Sequence, residues 1–374
     1  MTLSTQPTLQ LLREWPPGFG GVERVAHELA TEWGGDVYSF DVQRRSSWDV
    51  DPCPVGYQRL VLPCIRPFGR LVLPKPSRGT WHLLRSNQPL HGHLPSPAVL
   101  LLLLLARLLR PRRRVTVHWH CFLAGSLDAN GMLYSLYQWL ALRGLPWMSE
   151  VVTTSPILAA ELVRCGVPAA KVKQLACCLS DEQEAAALSS PIRAQPGSQA
   201  LRIIFIGRLE SYKRLDWLLE ALQGVGEPWH LDVVGDGPER ERFERLSRSV
   251  TRAGQQVVFH GRLPEADKFA VLASAHVLVL PSDRCNEAFG IVQLEAMAAG
   301  VPSLAFQCAR SGMGWVCEMP GLDWAQTRDA LPQVLQRLCL DPSLRERLGQ
   351  QARDRYRALF SRQVWRQHLA ALAR

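Results

Sequence analysis

The sequence predicts an α/β chain with two parallel sheets, each wrapped by helices, and three observations carry that prediction. Short apolar runs alternate with helical patterns; the alternation pauses at a polar stretch containing proline and glycine, Ser189 to Gln199, and then restarts. The first apolar run leads into a glycine loop and then a helix, which is how a nucleotide-type sheet opens. The length of 374 residues suits two domains better than one.

In the first half, Leu9 to Leu12 reads as a strand and Pro16 to Gly21 as the loop. Val22, Val25, Ala26, Leu29 and Ala30 then form one face of a helix. Asp36 to Phe40, Val115 to His118 and Val151 to Thr154 are further strands, separated by leucine-rich helical stretches. After the linker come the strand Leu201 to Ile206, the helix Leu215 to Leu222, the strand Leu231 to Val234, the helix Glu239 to Val250 and the strand Val257 to Phe259. The helix Glu265 to Ala273, the strand Val277 to Leu280 and the helix Val292 to Ala299 complete the pattern. Domains are therefore expected at 1–188 and 200–359, with a C-terminal helix of about 360–374 packing back on the first. Ligands of parallel sheets bind at the carboxyl ends of the strands, so function is expected in a cleft where those ends face each other.

Composition excludes several classes. With 47% hydrophobic and 21% charged residues the chain is neither disordered nor fibrous. The longest apolar run, Ala98 to Ala106, is far short of the roughly 20 residues of a membrane span. The N-terminus shows neither a basic segment nor an apolar one of signal type, so a cytoplasmic location is expected. Ten cysteines without CxxC spacing read as reduced thiols, not as disulfides or a zinc site. The formal charge of +9 favours anionic partners. Dispersed basic residues, with no zinc-finger spacing and no aromatic RNA-binding strand, argue against nucleic acid and leave phosphorylated ligands or anionic lipid.

Three segments carry chemistry. In FIGRLESYK, Phe205 to Lys213, a strand ends, Gly207 turns, and Arg208 and Lys213 emerge at the carboxyl end of the sheet. Two cations there suit a diphosphate without a metal, and a solvated loop is the alternative. Val234 to Pro238 is a second glycine turn, a plain connection or a ligand contact through Gly235. In Asn286 to Pro302, NEAFGIVQLEAMAAGVP, Glu287 lies in a loop and Glu295 on the following helix. Carboxylates there accept hydrogen bonds from sugar or ribose hydroxyls, and Phe289-Gly290 brings backbone amides. The Asp-x-Asp of Asp49 and Asp51 stands apart from these motifs, so no metal is expected. A nicotinamide fingerprint fails: Glu23 and Arg240 stand where it requires glycine.

GRLESYKR at Gly207 to Arg214, VVGDGP at Val233 to Pro238, FHGRLP at Phe259 to Pro264, EAFGIVQLEAMAAGVP from Glu287 and PPGFGGVERVAHELA at Pro16 to Ala30 together resemble the family 4 retaining glycosyltransferases. Bacterial members that build polysaccharide or O-antigen chains, mannosyltransferases among them, are the nearest in pattern. The resemblance implies a GT-B fold, an acceptor-binding first domain and a nucleotide-sugar-binding second domain, both Rossmann-like. It implies transfer of a hexose, with retention, from a GDP- or UDP-sugar to a glycan or lipid-linked acceptor, without cofactor. Arg208 and Lys213 would hold the leaving diphosphate, Glu287 the donor sugar and Glu295 the ribose. Gly20 and Gly21 would bring amides to the phosphates. Gly235, Arg262, Leu263, Ala288, Phe289, Gly290 and Ile291 would complete the donor site. The family's active-site histidine matches His120 in VTVHWHCF, with His118 the second candidate.

The chain also departs from the family. Cys121-Phe122 replaces the Ser-Asp that follows this histidine in many relatives; SGMGWVCEMPG, with Gly312, replaces a longer loop; and QLACCL at Gln174 to Leu179 lacks a usual glycine. The rival readings are a GT-B nucleotide-sugar epimerase, which would convert donor without acceptor, and a noncatalytic membrane-surface partner using Leu100 to Leu109 with Arg110 to Arg114. Peripheral attachment to an anionic leaflet is expected through Arg110, Arg112, Arg113 and Arg114, against the alternative of a buried helix and a solvated turn.

Overall fold

The computed structural model describes residues 7–14, 20–40, 50–52, 56–66, 71–125, 129–191 and 200–372. The chain divides into two compact units, Met1–Cys177 with Gln367–Arg374, and Cys178–Arg366.

The first unit runs β1 (Leu9–Leu12), α1 (Gly21–Trp33), β2 (Val37–Phe40), β3 (Val50–Pro52), β4 (Gln58–Leu62), β5 (Cys64–Ile65), β6 (Leu73–Pro74), α2 (Arg78–Arg85), β7 (Leu90–Leu94), α3 (Pro97–Leu109), β8 (Val115–Trp119), α4 (Ala129–Gly144), β9 (Glu150–Thr153), α5 (Pro156–Arg164) and β10 (Val172–Gln174). Eight of these strands form one sheet in the order β10-β9-β8-β7-β1-β2-β4-β3. All its neighbours are parallel except the edge pair β3–β4. Strands covered by helices on both faces can be apolar along their length; accordingly Leu9, Leu11 and Leu12 of β1 are fully buried. Pro97 opens α3 at a first-turn position, where its missing N–H costs nothing. That helix is leucine-rich all round, so Leu102 and Leu103 are buried while Leu101, Leu108 and Leu109 stay exposed.

The second unit runs α6 (Asp181–Ser189), β11 (Leu201–Ile206), α7 (Leu215–Gln223), β12 (Trp229–Val234), α8 (Arg240–Val250), β13 (Gln256–Gly261), α9 (Glu265–Ala273), β14 (Val277–Leu280), α10 (Val292–Ala298), β15 (Ser303–Ala305), α11 (Met313–Val316), α12 (Leu331–Leu340), α13 (Pro342–Leu359) and most of the first turns of α14 (Arg362–Leu372). Its five strands are parallel in the order β13-β12-β11-β14-β15. Ile204, Ile206 and Leu278 from the strands pack with Leu272 of α9 and Ala296 of α10. Each unit is thus a Rossmann-like sheet.

The division falls at Cys177, ahead of the linker expected at 189–199, of which residues 192–199 lie outside those described. Helix α6 groups with the second unit because its Glu184 carboxylate accepts hydrogen bonds from the Tyr356 hydroxyl (2.9 Å) and the Arg362 amide (2.7 Å). From Gln367 onward α14 groups with the first unit, where the carbonyl of Leu372 accepts a hydrogen bond from Arg114.

Candidate functional site

The strand order of the second unit changes direction between β11 and β14, and a parallel sheet opens a crevice at the carboxyl ends of such a pair. The segments that leave those two ends, 207–214 and 281–291, meet there. The Asp283 amide donates to the Tyr212 carbonyl at 3.2 Å. Arg214, left-handed at φ 52°, ion-pairs with Asp283 at 3.0 Å and with Asp216 at 3.5 Å. Its guanidinium also lies 4.1 Å over the Trp217 ring. Arg214 therefore clamps the two loops, a role the sequence reading did not give it.

Between the loops, the Lys213 ammonium bonds the Glu287 carboxylate, with side chains only 12% and 15% exposed. Burial pulls the Lys213 pKa down, but Glu287 and then Tyr212 raise it by more, so it ends above the ordinary lysine value. The ammonium is therefore charged throughout the neutral range. Arg208, in the same loop, is 63% exposed and pairs with Glu210 at 2.6 Å. The site thus holds one sheltered cation and one open one.

The loop carrying Glu287 is rigidly backed. Ser311 donates to the Glu287 carbonyl at 2.5 Å, and the Gly312 amide donates to the Ala288 carbonyl at 2.8 Å. That bond commits the Gly312 N–H within the protein. Phe289 is buried edge-on against Phe360, ring centres 5.9 Å apart. Gly290 holds φ 74°, and a Cβ there would press on Leu280 and Gln293, so glycine is required. Buried Gln293, also unanticipated, donates to the carbonyls of Phe289 (2.8 Å) and Met313 (3.1 Å) and accepts from Ser303 (3.0 Å). Ile291 precedes α10 and is half-buried.

Most of the remaining expected donor residues have partners of their own. Glu295 is 4% exposed and ion-pairs with Lys268 of α9 at 2.9 Å. Arg262 is exposed just after β13, and Leu263 packs on the Ile204 cluster. The Gly235 amide donates to the Gly261 carbonyl at 2.7 Å, so its N–H is engaged within the sheet end. We expect Glu295→Ala to lower stability by about 2 kcal/mol, because among the described residues it leaves Lys268 with the exposed Glu265 alone as ion-pair partner. Denaturant unfolding measures this; an unchanged midpoint would contradict it.

In the first unit, Gly20 and Gly21 sit at the start of α1, where the Glu23 carboxylate folds back onto Gly20. Burial raises the Glu23 pKa despite its backbone hydrogen bond. Gly18 and Asp49 lie outside the described residues. His120 follows β8; its amide donates to the Leu94 carbonyl and its Nε2 lies 2.9 Å from His93 Nδ1. His118 stacks on it with ring centres 4.3 Å apart. Burial holds His118 down to about 3 and keeps His91, His93 and His120 well below the ordinary histidine value. These rings are neutral near pH 7, and act as hydrogen-bonding groups without charge.

The basic tract after α3 is only half open. Arg113 is buried, donating to the carbonyls of Gln88 and Leu83 at 2.7 Å each. Arg114 pairs with Glu150 at 2.8 Å. Those two arginines are thus structural, whereas Arg110 and Arg112 remain exposed.

Comparison with known proteins bears on both units. Residues 19–182 match the family model described as Glycosyltransferase Family 4, and residues 192–355 match that described as Glycosyl transferases group 1. The O-antigen chain mannosyltransferase C of Escherichia coli is 24% identical over 369 residues, covering 93% of this chain and 92% of that protein. The D-rhamnosyltransferase WbpZ of Pseudomonas aeruginosa is 32% identical over 162 residues; that match takes in 42% of this chain and 41% of the relative, less than half its length. Among solved structures, Anabaena HepE in complex with UDP matches with TM-score 0.70 at 16% identity, over 98% of this chain and 99% of that one. The sucrose-phosphate synthase of Thermosynechococcus elongatus matches with TM-score 0.71 at 21% identity, over 98% of each chain. At these identities the likeness shows the fold, which is GT-B.

Proposed function

On the premise that this chain belongs to the family 4 glycosyltransferases, we propose that it transfers a hexose of mannose or glucose type, with retention, from a nucleotide-diphosphate sugar to a glycan or lipid-linked acceptor of a cell-surface polysaccharide. The observation that carries this is the sheltered Lys213 ammonium, held charged by Glu287 at the carboxyl ends of β11 and β14. As the sugar–phosphate bond lengthens, negative charge grows on the diphosphate, and a fixed cation in a sheltered site stabilises it more than the ground state. In this reading Lys213 turns from Glu287 to the phosphate oxygens, and the freed carboxylate accepts sugar hydroxyls. The acceptor hydroxyl loses its proton to the departing phosphate oxygen. His120 has a matching part: Gln10 Oε1 accepts from His93 Nε2–H, His93 Nδ1 accepts from His120 Nε2–H, and His120 Nδ1 is left to accept from a sugar hydroxyl.

The names of two similar proteins, an O-antigen mannosyltransferase and a UDP complex, support a diphosphate donor and a polysaccharide product. The test is transfer from GDP-, UDP- and ADP-hexoses to a lipid-linked glycan, with the anomeric configuration read by NMR. Retained configuration and strict dependence on acceptor are expected. Conversion of donor without acceptor would instead mean an epimerase.

A membrane-borne acceptor fits the surface of the first unit. Along α4, Met132, Leu133, Leu136, Trp139 and Leu140 are exposed, and Arg143 lies 4.7 Å over the Trp139 ring. Arg107 of α3 donates to the Trp147 carbonyl, three residues past α4, at 3.1 Å, and Leu108, Leu109 and Arg110 at the end of α3 are exposed. Apolar and aromatic side chains flanked by arginine suit an anionic interface, and the reading assigns the enzyme to the cytoplasmic side. Among the described residues no helix is long and apolar enough to cross a membrane. We expect salt-sensitive binding to anionic vesicles, weakened roughly 10 to 30-fold by Arg110→Gln with Arg112→Gln, at about 1 kcal/mol per arginine. Co-sedimentation tests this; indifference of the wild-type protein to anionic vesicles at low salt would refute it.

A further inference from the structure

Strands β7 and β8 each carry a His-x-His pair: His91 and His93 on one, His118 and His120 on and just after the other. Residues two apart on a strand share a face, and His93 is the register partner of His118, so the four rings form one ladder on one side of the sheet. Neighbouring ring centres lie 4.3–5.9 Å apart. One ring nitrogen from each of His91, His93 and His118 lies within 4.8 Å of the others, and all three residues are buried.

The hydrogen bonds around the ladder favour one tautomer each for His91 and His93. The Thr116 hydroxyl points its proton toward the Leu90 carbonyl and so accepts from His91 Nδ1–H at 2.8 Å; the lone pair of His91 is on Nε2, which is buried without a partner. Gln10 Oε1 accepts from His93 Nε2–H at 3.0 Å, leaving the lone pair on His93 Nδ1. Both ring nitrogens of His118 are buried without a partner. His91 pairs an N–H tied to a protein oxygen with an idle lone pair, His118 has two unpartnered nitrogens, and His93 Nδ1 is bonded by the neighbouring His120 ring; a metal ion's ligands and their supporting shell can be drawn from such a set.

We infer that His91, His93 and His118 bind one divalent transition-metal ion of zinc type, pinning β7 to β8 in the first unit. A neutral all-imidazole set suits zinc or its neighbours, not magnesium or calcium, which prefer oxygen. Tetrahedral zinc with bonds of about 2.0–2.1 Å sets its nitrogens about 3.3 Å apart, so the ligands close in from 4.8 Å by side-chain rotation. The ion takes the His93 Nδ1 lone pair on which His120 rests, so loading also releases His120 Nε2–H to find another acceptor.

The test uses the full chain, stripped with a chelator and given zinc(II) or cobalt(II). About one zinc per chain should remain after gel filtration, with a melting temperature at least about 4 °C above the stripped protein. Cobalt should give the visible absorption of a four-coordinate nitrogen and oxygen site, and His118→Asn should lower the retained zinc at least about tenfold. X-ray absorption at the zinc edge of the wild-type protein should show imidazole ligands, a result that stands even if the variant fails to fold. Zinc below about 0.1 per chain, unchanged zinc in His118→Asn, or sulfur-to-cobalt charge transfer from cysteine ligands would each overturn the inference.

Discussion

Lys213→Ala should lower kcat/KM for glycosyl transfer by roughly 100 to 1000-fold, the loss expected when a fixed charge-stabilising donor is removed from a sheltered site. The ammonium is 12% exposed and Arg208 63%, so water screens the arginine far more strongly. Arg208→Ala should accordingly lose less, roughly 10 to 100-fold. Lys213→Ala also strands the Glu287 carboxylate, so Lys213→Ala with Glu287→Gln should be more stable than Lys213→Ala alone while remaining as inactive. Steady-state kinetics on the three purified variants checks the order. Near wild-type turnover in Lys213→Ala would remove the phosphate assignment.

Gly235→Ala should be the most damaging single-methyl substitution in the second unit. The residue holds φ 132°, which side chains other than glycine's rarely adopt, and an added Cβ would strike the carbonyl oxygen of Gly207. Neither partner can yield cheaply, because the Gly235 amide is bonded to Gly261 and the Gly207 amide to Val234 at 3.0 Å. A loss of roughly 3 kcal/mol or more is expected, or about 6–12 °C in melting temperature. Calorimetry decides: a shift under about 2 °C would mean that the loop after β12 moves aside.

The elements legible in the sequence were those whose strands are apolar throughout and whose helices show a clean stripe. Strand β11, LRIIFI, and helix α7, LDWLLEALQ, lie within a residue of their expected bounds. Strand β7 escaped notice because it reads Leu-His-Gly-His-Leu: histidine counts as polar in a periodicity reading, yet here every residue is buried. Its partner strand was found through Val115 and Val117, but the pairing of two His-x-His motifs needs register, which composition does not supply. The motifs at the carboxyl edge of the second sheet were legible because strand ends and glycine turns mark such an edge. Their internal pairing was not: Lys213 with Glu287, Arg214 with Asp283 and Glu295 with Lys268 each join segments far apart in the chain. Likewise, nothing in the run Arg110 to Arg114 tells that Arg113 turns inward to the Gln88 and Leu83 carbonyls while Arg112 stays in water.

The carboxyl edge of the second unit's sheet is proposed to receive a nucleotide diphosphate and its sugar. A thermal-shift titration with GDP, UDP and ADP, their monophosphates and their hexose conjugates tests it most directly, since a ligand of the native state raises apparent stability by mass action. At least one diphosphate should raise the melting temperature while its monophosphate does so far less, and Lys213→Ala should abolish the difference. If no diphosphate or sugar conjugate shifts the wild-type protein, or if the shift persists undiminished in Lys213→Ala, the donor site is not where this account puts it.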